Sequence, residues 1–230
     1  MTTPLISKST LSSIENYLDK QTVMLEIGSG NSTLYFSKRV QHLFSLENNK
    51  EWFDEVNQQT INQDNITYKI KKSNFKNYDQ STPGKEQTKE MFKDYLDYLE
   101  LSNFNNKQLD IVFNDGQVRR ICNLKVFNIL KDDGYLIIHD FFNNSNLNIE
   151  WNLRLLLKYY NIVEYDKRCY GKHAGVERGN DYIIFSKKKN MSLDNKDLIK
   201  VSEINQSIFN KFFSILQNFK FNIQLRLLNF

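Results

Sequence analysis

The chain has 230 residues, 40% of them apolar and 13% aromatic, which suits one domain with an elaboration and argues against disorder. Net charge is +4 with no long basic block, and the only triple run, Lys187-Lys188-Lys189, reads as a solvated strand end rather than a nucleic-acid contact. No segment approaches the ~18 consecutive apolar residues of a membrane span. Met1 to Leu11 lack a signal-peptide pattern, and Cys122 and Cys169 show no metal spacing, so a cytoplasmic protein with free thiols is expected.

Ser12 to Leu18 is predicted as a helix, because Ser12 and Glu15 form a capping-box pattern and Leu11, Ile14 and Leu18 repeat at helical spacing. Val23 to Ile27 reads as a buried strand running into Gly28-Ser29-Gly30. A helix follows from about Ser32 to Val40, then a strand Leu43 to Leu46 closed by Glu47. Trp52, Phe53 and Val56 sit at helical spacing, and Ile66 to Ile70 alternates as a third strand. Asn74 to Gly84 is irregular, a candidate lid carrying Phe75, Tyr78 and Pro83, and Glu86 to Leu101 is an amphipathic helix. Ile111 to Phe113 is a fourth strand. Val118 to Leu130 is a helix stopped by Asp132-Asp133-Gly134, and Tyr135 to Ile138 is a fifth strand ending at His139-Asp140. Trp151 to Tyr160 is a helix, and Ile162 to Tyr165 and Tyr182 to Phe185 are two last strands.

Strands alternating with helices predict an α/β fold: a doubly wound, mostly parallel seven-stranded sheet of Rossmann-like type. The last two strands lack a helix between them, so one antiparallel pairing is expected at an edge. The loop between them, Gly171 to Gly179, carries His173 and Arg178 and is read as a surface hairpin or a pocket wall. From Met191 the character changes, and Ile204, Ile208, Phe212, Ile215 and Phe219 repeat at helical spacing. Residues 1–190 are therefore expected to form the main domain. Residues 191–230 form a helical C-terminal extension, a cover or a homo-oligomer contact.

Only 8 glycines occur, which makes the pair Gly28 and Gly30 informative. Gly28 permits a tight turn, and Gly30 removes a side chain where a ligand approaches the backbone. Asn31, Ser32 and Thr33 then open a helix whose free N–H groups can meet a polar ligand. Glu47 lies nineteen positions beyond Gly28 at the end of the second strand, where an acid accepts both ribose hydroxyls of an adenosine. Two cofactors use this geometry. A dinucleotide site needs Gly or Ala three places after Gly30, where Thr33 stands. Glu26, two places before Gly28, suits a cationic amino-acid moiety better than a pyrophosphate. Both points favour S-adenosylmethionine over NAD.

Leu25-Glu26-Ile27-Gly28-Ser29-Gly30 resembles the first motif of class I S-adenosylmethionine-dependent methyltransferases, and Ser45 to Trp52, with Glu47 and Asn48, resembles their second. Asp110 to Gly116 and Gly134 to Asp140 resemble their fourth- and fifth-strand motifs. The resemblance implies that Glu26, Gly28 and Gly30 line the methionine portion, with Ser29 and Ser32 also among the cofactor-binding residues. Glu47 would meet the ribose and Asn74 the adenine, with Asn48 and Asp115 also among the cofactor-binding residues. Ser32 replaces a glycine frequent in the first motif, and Asn74 stands where an acid is commoner.

Asp115, His139 and Asp140 stand at the ends of the fourth and fifth strands, where such folds place their chemistry. A His can take a proton, and paired carboxylates can hold a cation that acidifies a hydroxyl. By resemblance, Asp115 and Asp140 match metal-ligand aspartates of catechol-type and sugar O-methyltransferases, which implies Mg2+. Phe141 stands where the catechol type has Asn; Asn143 and Asn144 come later. Against these readings, Asp115-Gly116 could be a plain turn, and His139 a strand-end side chain bonded to backbone. Of Arg119 and Arg120, one is expected to face solvent and one could meet an anionic substrate. The expected activity is methyl transfer to a hydroxyl of a small molecule or saccharide. Alternatives are an NAD-dependent oxidoreductase and a non-catalytic binding module on the same scaffold.

Overall fold

The computed structural model describes Pro4 and residues 6–71, 108–116, 119–141, 149–166 and 181–203. Its elements in chain order are α1 (Lys8–Glu15), β1 (Val23–Ile27), α2 (Asn31–Phe36), β2 (His42–Glu47), α3 (Lys50–Thr60), β3 (Ile66–Ile70) and β4 (Leu109–Asn114). After these come α4 (Arg119–Lys125), a short 3-10 turn (Val126–Asn128), β5 (Leu130–His139), α5 (Ile149–Tyr159), β6 (Tyr160–Asp166), β7 (Tyr182–Lys187) and α6 (Asn195–Glu203).

The seven strands form one sheet in the order β3-β2-β1-β4-β5-β7-β6. Pairings from β3 through β5 are parallel, and β7 runs antiparallel between β5 and the edge strand β6. Continuous apolar runs in β1, β4, β5 and β7 follow from coverage of both faces. Leu25, Val112, Leu136, Ile138 and Phe185 face one core with Leu124 of α4 and Leu156 of α5. Met24, Leu43, Phe113, Ile137 and Ile184 face the other, with Leu11 and Ile14 of α1 and Phe36 of α2. The sheet is thus doubly wound, as the element pattern predicts. Strand order reverses between β1 and β4, and this switch point opens a crevice at the strands' C-terminal ends. Among the described residues, no helix is long and apolar enough to cross a membrane.

Three local expectations are corrected. The first helix begins at Lys8 rather than Ser12, because the Ser7 hydroxyl accepts the Thr10 N–H at 3.1 Å and caps an earlier turn. The Asp132-Asp133-Gly134 segment does not stop a helix. The chain is already in β5 from Leu130, and the register jumps from the pair Leu109–Leu130 to the pair Ile111–Tyr135, extruding these residues as a bulge. Lys187 is not solvated: it is 5% exposed, and its ammonium donates to the Leu130 carbonyl at 2.6 Å under that bulge. Lys188 similarly donates to the Leu157 carbonyl at 2.6 Å.

α6 docks at the opposite end of the sheet from the switch point. Buried Asp197 accepts from the Tyr159 hydroxyl at 2.5 Å and the Lys158 ammonium at 2.6 Å. The rest of the predicted tail helix, the 86–101 helix, the 74–84 lid and the 171–179 loop with His173 and Arg178 lie outside the described residues. So do Asn74, Asn143, Asn144 and Cys169.

Candidate functional site

Gly28 has φ +86°, and a Cβ there would lie 2.8 Å from the Gly116 nitrogen and 2.9 Å from the Asp115 carbonyl carbon. A Cβ on Gly116 would in turn meet Ile27 Cγ2 at 2.8 Å. The two strand ends therefore cross at backbone distance. The Asp115 N–H donates to the Ile27 carbonyl at 2.9 Å, and the Gly28 N–H to the Leu46 carbonyl at 3.0 Å. Three strand ends are tied together here, which fixes where their side chains emerge.

Glu26 lies on the α2 side of β1 and is fully buried. Its Oε1 accepts from Ser32 Oγ at 2.6 Å, and its Oε2 from Thr33 Oγ1 at 2.6 Å and Ser45 Oγ at 2.7 Å. Burial pushes its carboxyl up to about 7, against the opposing pull of the three hydroxyls. The acid braces the first turn of α2 against β1 and β2. It sits behind the glycine turn, with no surface exposed to the crevice.

Glu47 is 5% exposed and turns toward the glycine turn. Its Oε2 accepts from the Ser29 N–H and the Ser29 hydroxyl, both at 2.9 Å. Its Oε1 accepts from the N–H groups of Asn48 and Asn49, both at 2.8 Å. Ser29 Oγ also lies 2.6 Å from the Tyr68 hydroxyl of β3. The Trp52 indole N–H donates to the Ser29 carbonyl at 2.6 Å, and the ring lies against Gly30, 3.6 Å from where a Cβ would stand. Asn49 positions that indole by capping α3, its Oδ1 accepting from the Trp52 N–H at 2.9 Å.

At the ends of β4 and β5, Asp115 Oδ1 accepts from Arg119 Nη2 at 2.5 Å and lies 3.1 Å from His139 Nδ1. Burial alone would raise the Asp115 carboxyl, but the charges of His139 and Arg119 hold it at about 2. Arg119 is 7% exposed, so it serves this acid rather than solvent. Asn114 fixes the same turn, accepting from the Gly116 N–H at 3.2 Å and donating to Asn123 Oδ1 at 2.7 Å. Asp140 takes φ +51°, an unusual conformation for a residue with a side chain. Its N–H donates to the Asp181 carbonyl at 2.9 Å, and its Oδ2 comes within 3.9 Å of His139 Nδ1. Phe141 turns inward and is fully buried against Phe185.

The structure therefore brings Gly28, Ser29, Gly30, Glu47 and Asn48 to one side of the switch point and Asp115, His139 and Asp140 to the other. Ser32 and Glu26 stand behind the turn as its brace. Trp52 and Tyr68, which the sequence does not mark as site residues, complete the first group, and Arg119, one of the two arginines expected to face solvent or an anionic substrate, completes the second. Arg119 has a local signal in its position four residues after Asp115 at a helix start, and Trp52 closes the stretch that resembles the second motif.

Asp115, His139 and Asp140 offer one ligand atom each within 4.8 Å of one another, so the cluster has the spacing of a cation site. The donor set does not fit Mg2+, which favours an all-oxygen shell, because one member is an imidazole and Arg119 already occupies Asp115 Oδ1.

No protein-family model and no curated protein matches this sequence. Solved structures do share its fold. A methyltransferase-like protein from Silicibacter pomeroyi superposes with a TM-score of 0.53 at 16% identity, over 88% of this chain and 96% of that one. Phosphoethanolamine N-methyltransferase 1 from Haemonchus contortus gives 0.54 at 11% identity, over 92% of this chain and 49% of that one. A tRNA methyltransferase from Aquifex aeolicus gives 0.50 at 14% identity, over 83% and 71%. At these identities the likeness is one of fold: the chain has the Rossmann-like fold of the class I S-adenosylmethionine-dependent methyltransferases.

Proposed function

We propose that the chain is an S-adenosylmethionine-dependent methyltransferase acting on a hydroxyl oxygen of a small molecule or saccharide. The observation that carries this reading is the pairing of the Gly28 bend with Glu47 at the next strand end, across the switch point from Asp115. Glu47 supplies a carboxylate for the ribose hydroxyls. Thr33 fills the position a dinucleotide site reserves for Gly or Ala, and its hydroxyl is committed to Glu26, which favours S-adenosylmethionine over NAD.

Methyl transfer to a hydroxyl forms an O–CH3 bond, breaks the sulfonium S–CH3 bond and releases one proton. Asp115 stays ionised, with the Arg119 guanidinium beside it holding its carboxyl low, and is too weak a base to take that proton. Its role is to orient the acceptor hydroxyl and the imidazole. His139, in its neutral form and with Nδ1 turned to Asp115, receives the proton. Arg119 keeps Asp115 in register. This chemistry needs no cation.

Calorimetry with S-adenosylhomocysteine is expected to give one-to-one binding where NAD gives no heat, and the reverse result overturns the reading. Asp115→Asn and His139→Gln are each expected to lower turnover by about 100-fold or more while keeping that heat. Full turnover in either variant removes that residue from the mechanism. Labelled methyl appearing in bulk RNA, and in no hydroxylated small molecule or oligosaccharide, overturns the acceptor class.

A further inference from the structure

Glu47 receives four hydrogen bonds in this structure, two from Ser29 and one each from the Asn48 and Asn49 N–H groups. A carboxylate has about four acceptor directions. Each ribose hydroxyl that reaches Glu47 must therefore displace a present donor or share its acceptor direction. The backbone N–H groups are fixed by the turn and by the start of α3. The Ser29 hydroxyl is the one donor free to rotate, and a second partner already lies beside it, the Tyr68 oxygen at 2.6 Å.

The same serine carries a second contact. Its carbonyl is gripped by the Trp52 indole N–H at 2.6 Å, and the indole covers Gly30. Gly30 has no side chain to hold a ligand off the backbone, and Trp52 lies over that opening. Trp52 is 37% exposed, so it is not locked in the core. The Tyr68 ring is stacked on Phe53, their centroids 4.4 Å apart.

We propose that Trp52 is the gate of the nucleoside cleft and that Tyr68 receives the Ser29 hydroxyl when a ribose displaces it from Glu47. This rests on the reading of the cleft as an S-adenosylmethionine site and adds two residues to it. Trp52 and Tyr68 act here as positioning residues: they set the rate and strength of nucleoside entry and touch no reacting atom.

The chain has 2 tryptophans, so the variant Trp151→Phe leaves Trp52 as the single indole reporter. Titrating that variant with S-adenosylhomocysteine should change its emission with the same midpoint as the calorimetric heat. Trp52→Phe keeps a ring and loses the N–H. By surface plasmon resonance it should associate with S-adenosylhomocysteine roughly two- to tenfold faster, the factor one neutral hydrogen bond carries. Tyr68→Phe should bind severalfold more weakly, because the Ser29 hydroxyl then has no second partner. Unchanged emission together with unchanged association rate, in protein that still gives the binding heat, overturns the gate and leaves the cofactor reading standing. No heat from the unaltered chain overturns both.

Discussion

Glu26 and Glu47 end up on neighbouring strands in opposite circumstances. Glu26 is buried among three hydroxyls, and its carboxyl sits near 7; Glu47 meets four N–H and O–H donors at the crevice. Their consequences differ. In the unfolded chain Glu26 releases its proton near its ordinary value of 4.5, whereas in the folded protein it holds it to about 7. Between these values the folded state binds more protons, so this group makes the protein less stable as pH rises through that window. Glu26→Gln should flatten that slope by an amount on the order of 3 kcal/mol between pH 5 and pH 8, read from urea unfolding at the two pH values. Asp115 acts in the other direction: its contribution is present above an ordinary carboxylate's 3.8 and is lost as pH falls toward 2. Glu47→Ala removes the proposed ribose acceptor and should weaken S-adenosylhomocysteine binding by about 2 kcal/mol or more, with calorimetry as the readout. Binding of unaltered strength in that variant withdraws the ribose assignment.

The elements explain why those side chains converge. β1 must pass β4 at backbone contact, and only glycine at 28 and 116 permits it. Gly28→Ala meets two separate penalties: a left-handed conformation that costs roughly 1–2 kcal/mol for a residue with a Cβ, and a clash with the Asp115–Gly116 backbone. The variant should lose at least about 2 kcal/mol of stability in urea and, with β4 displaced, its S-adenosylhomocysteine binding. β5 shows how a local signal can be right in kind and wrong in context. Asp132-Asp133-Gly134 interrupts a regular element, as its composition suggests, but as a bulge within a strand instead of the end of a helix. Gly134 fits because a Cβ would come within 3.0 Å of the Asp110 carbonyl and the Leu130 side chain. Buried Lys187 then holds the Leu130 carbonyl beneath the bulge. No run of neighbouring residues announces such an arrangement, since its partners come from β4, β5 and β7.

On the scale of the molecule, the sheet separates chemistry from scaffolding. The Asp115 and His139 ends of β4 and β5 form one rim. Tyr160 and Lys187 pair at the other, where α6 docks through Asp197. Asp197→Ala should leave the Tyr159 hydroxyl and the Lys158 ammonium without their acceptor and lower unfolding stability by about 1–3 kcal/mol. Its S-adenosylhomocysteine affinity should match that of the unaltered chain, because the latch and the cleft lie at opposite ends of the strands. A loss of affinity equal to that of Glu47→Ala would falsify this separation.

The sequence by itself determined the order of strands and helices, the doubly wound sheet, and the glycine turn followed by its acid. These follow from apolar periodicity and from residue spacing along a short stretch of chain, which backbone geometry converts directly into structure. The tertiary structure alone decided which groups each acid would meet. Glu26 finds Ser45 at nineteen positions' remove, and Ser29 finds Tyr68 at thirty-nine. Such pairs exist only once parallel strands have set their register, because hydrogen-bond partners are chosen by distance in space and not by distance along the chain.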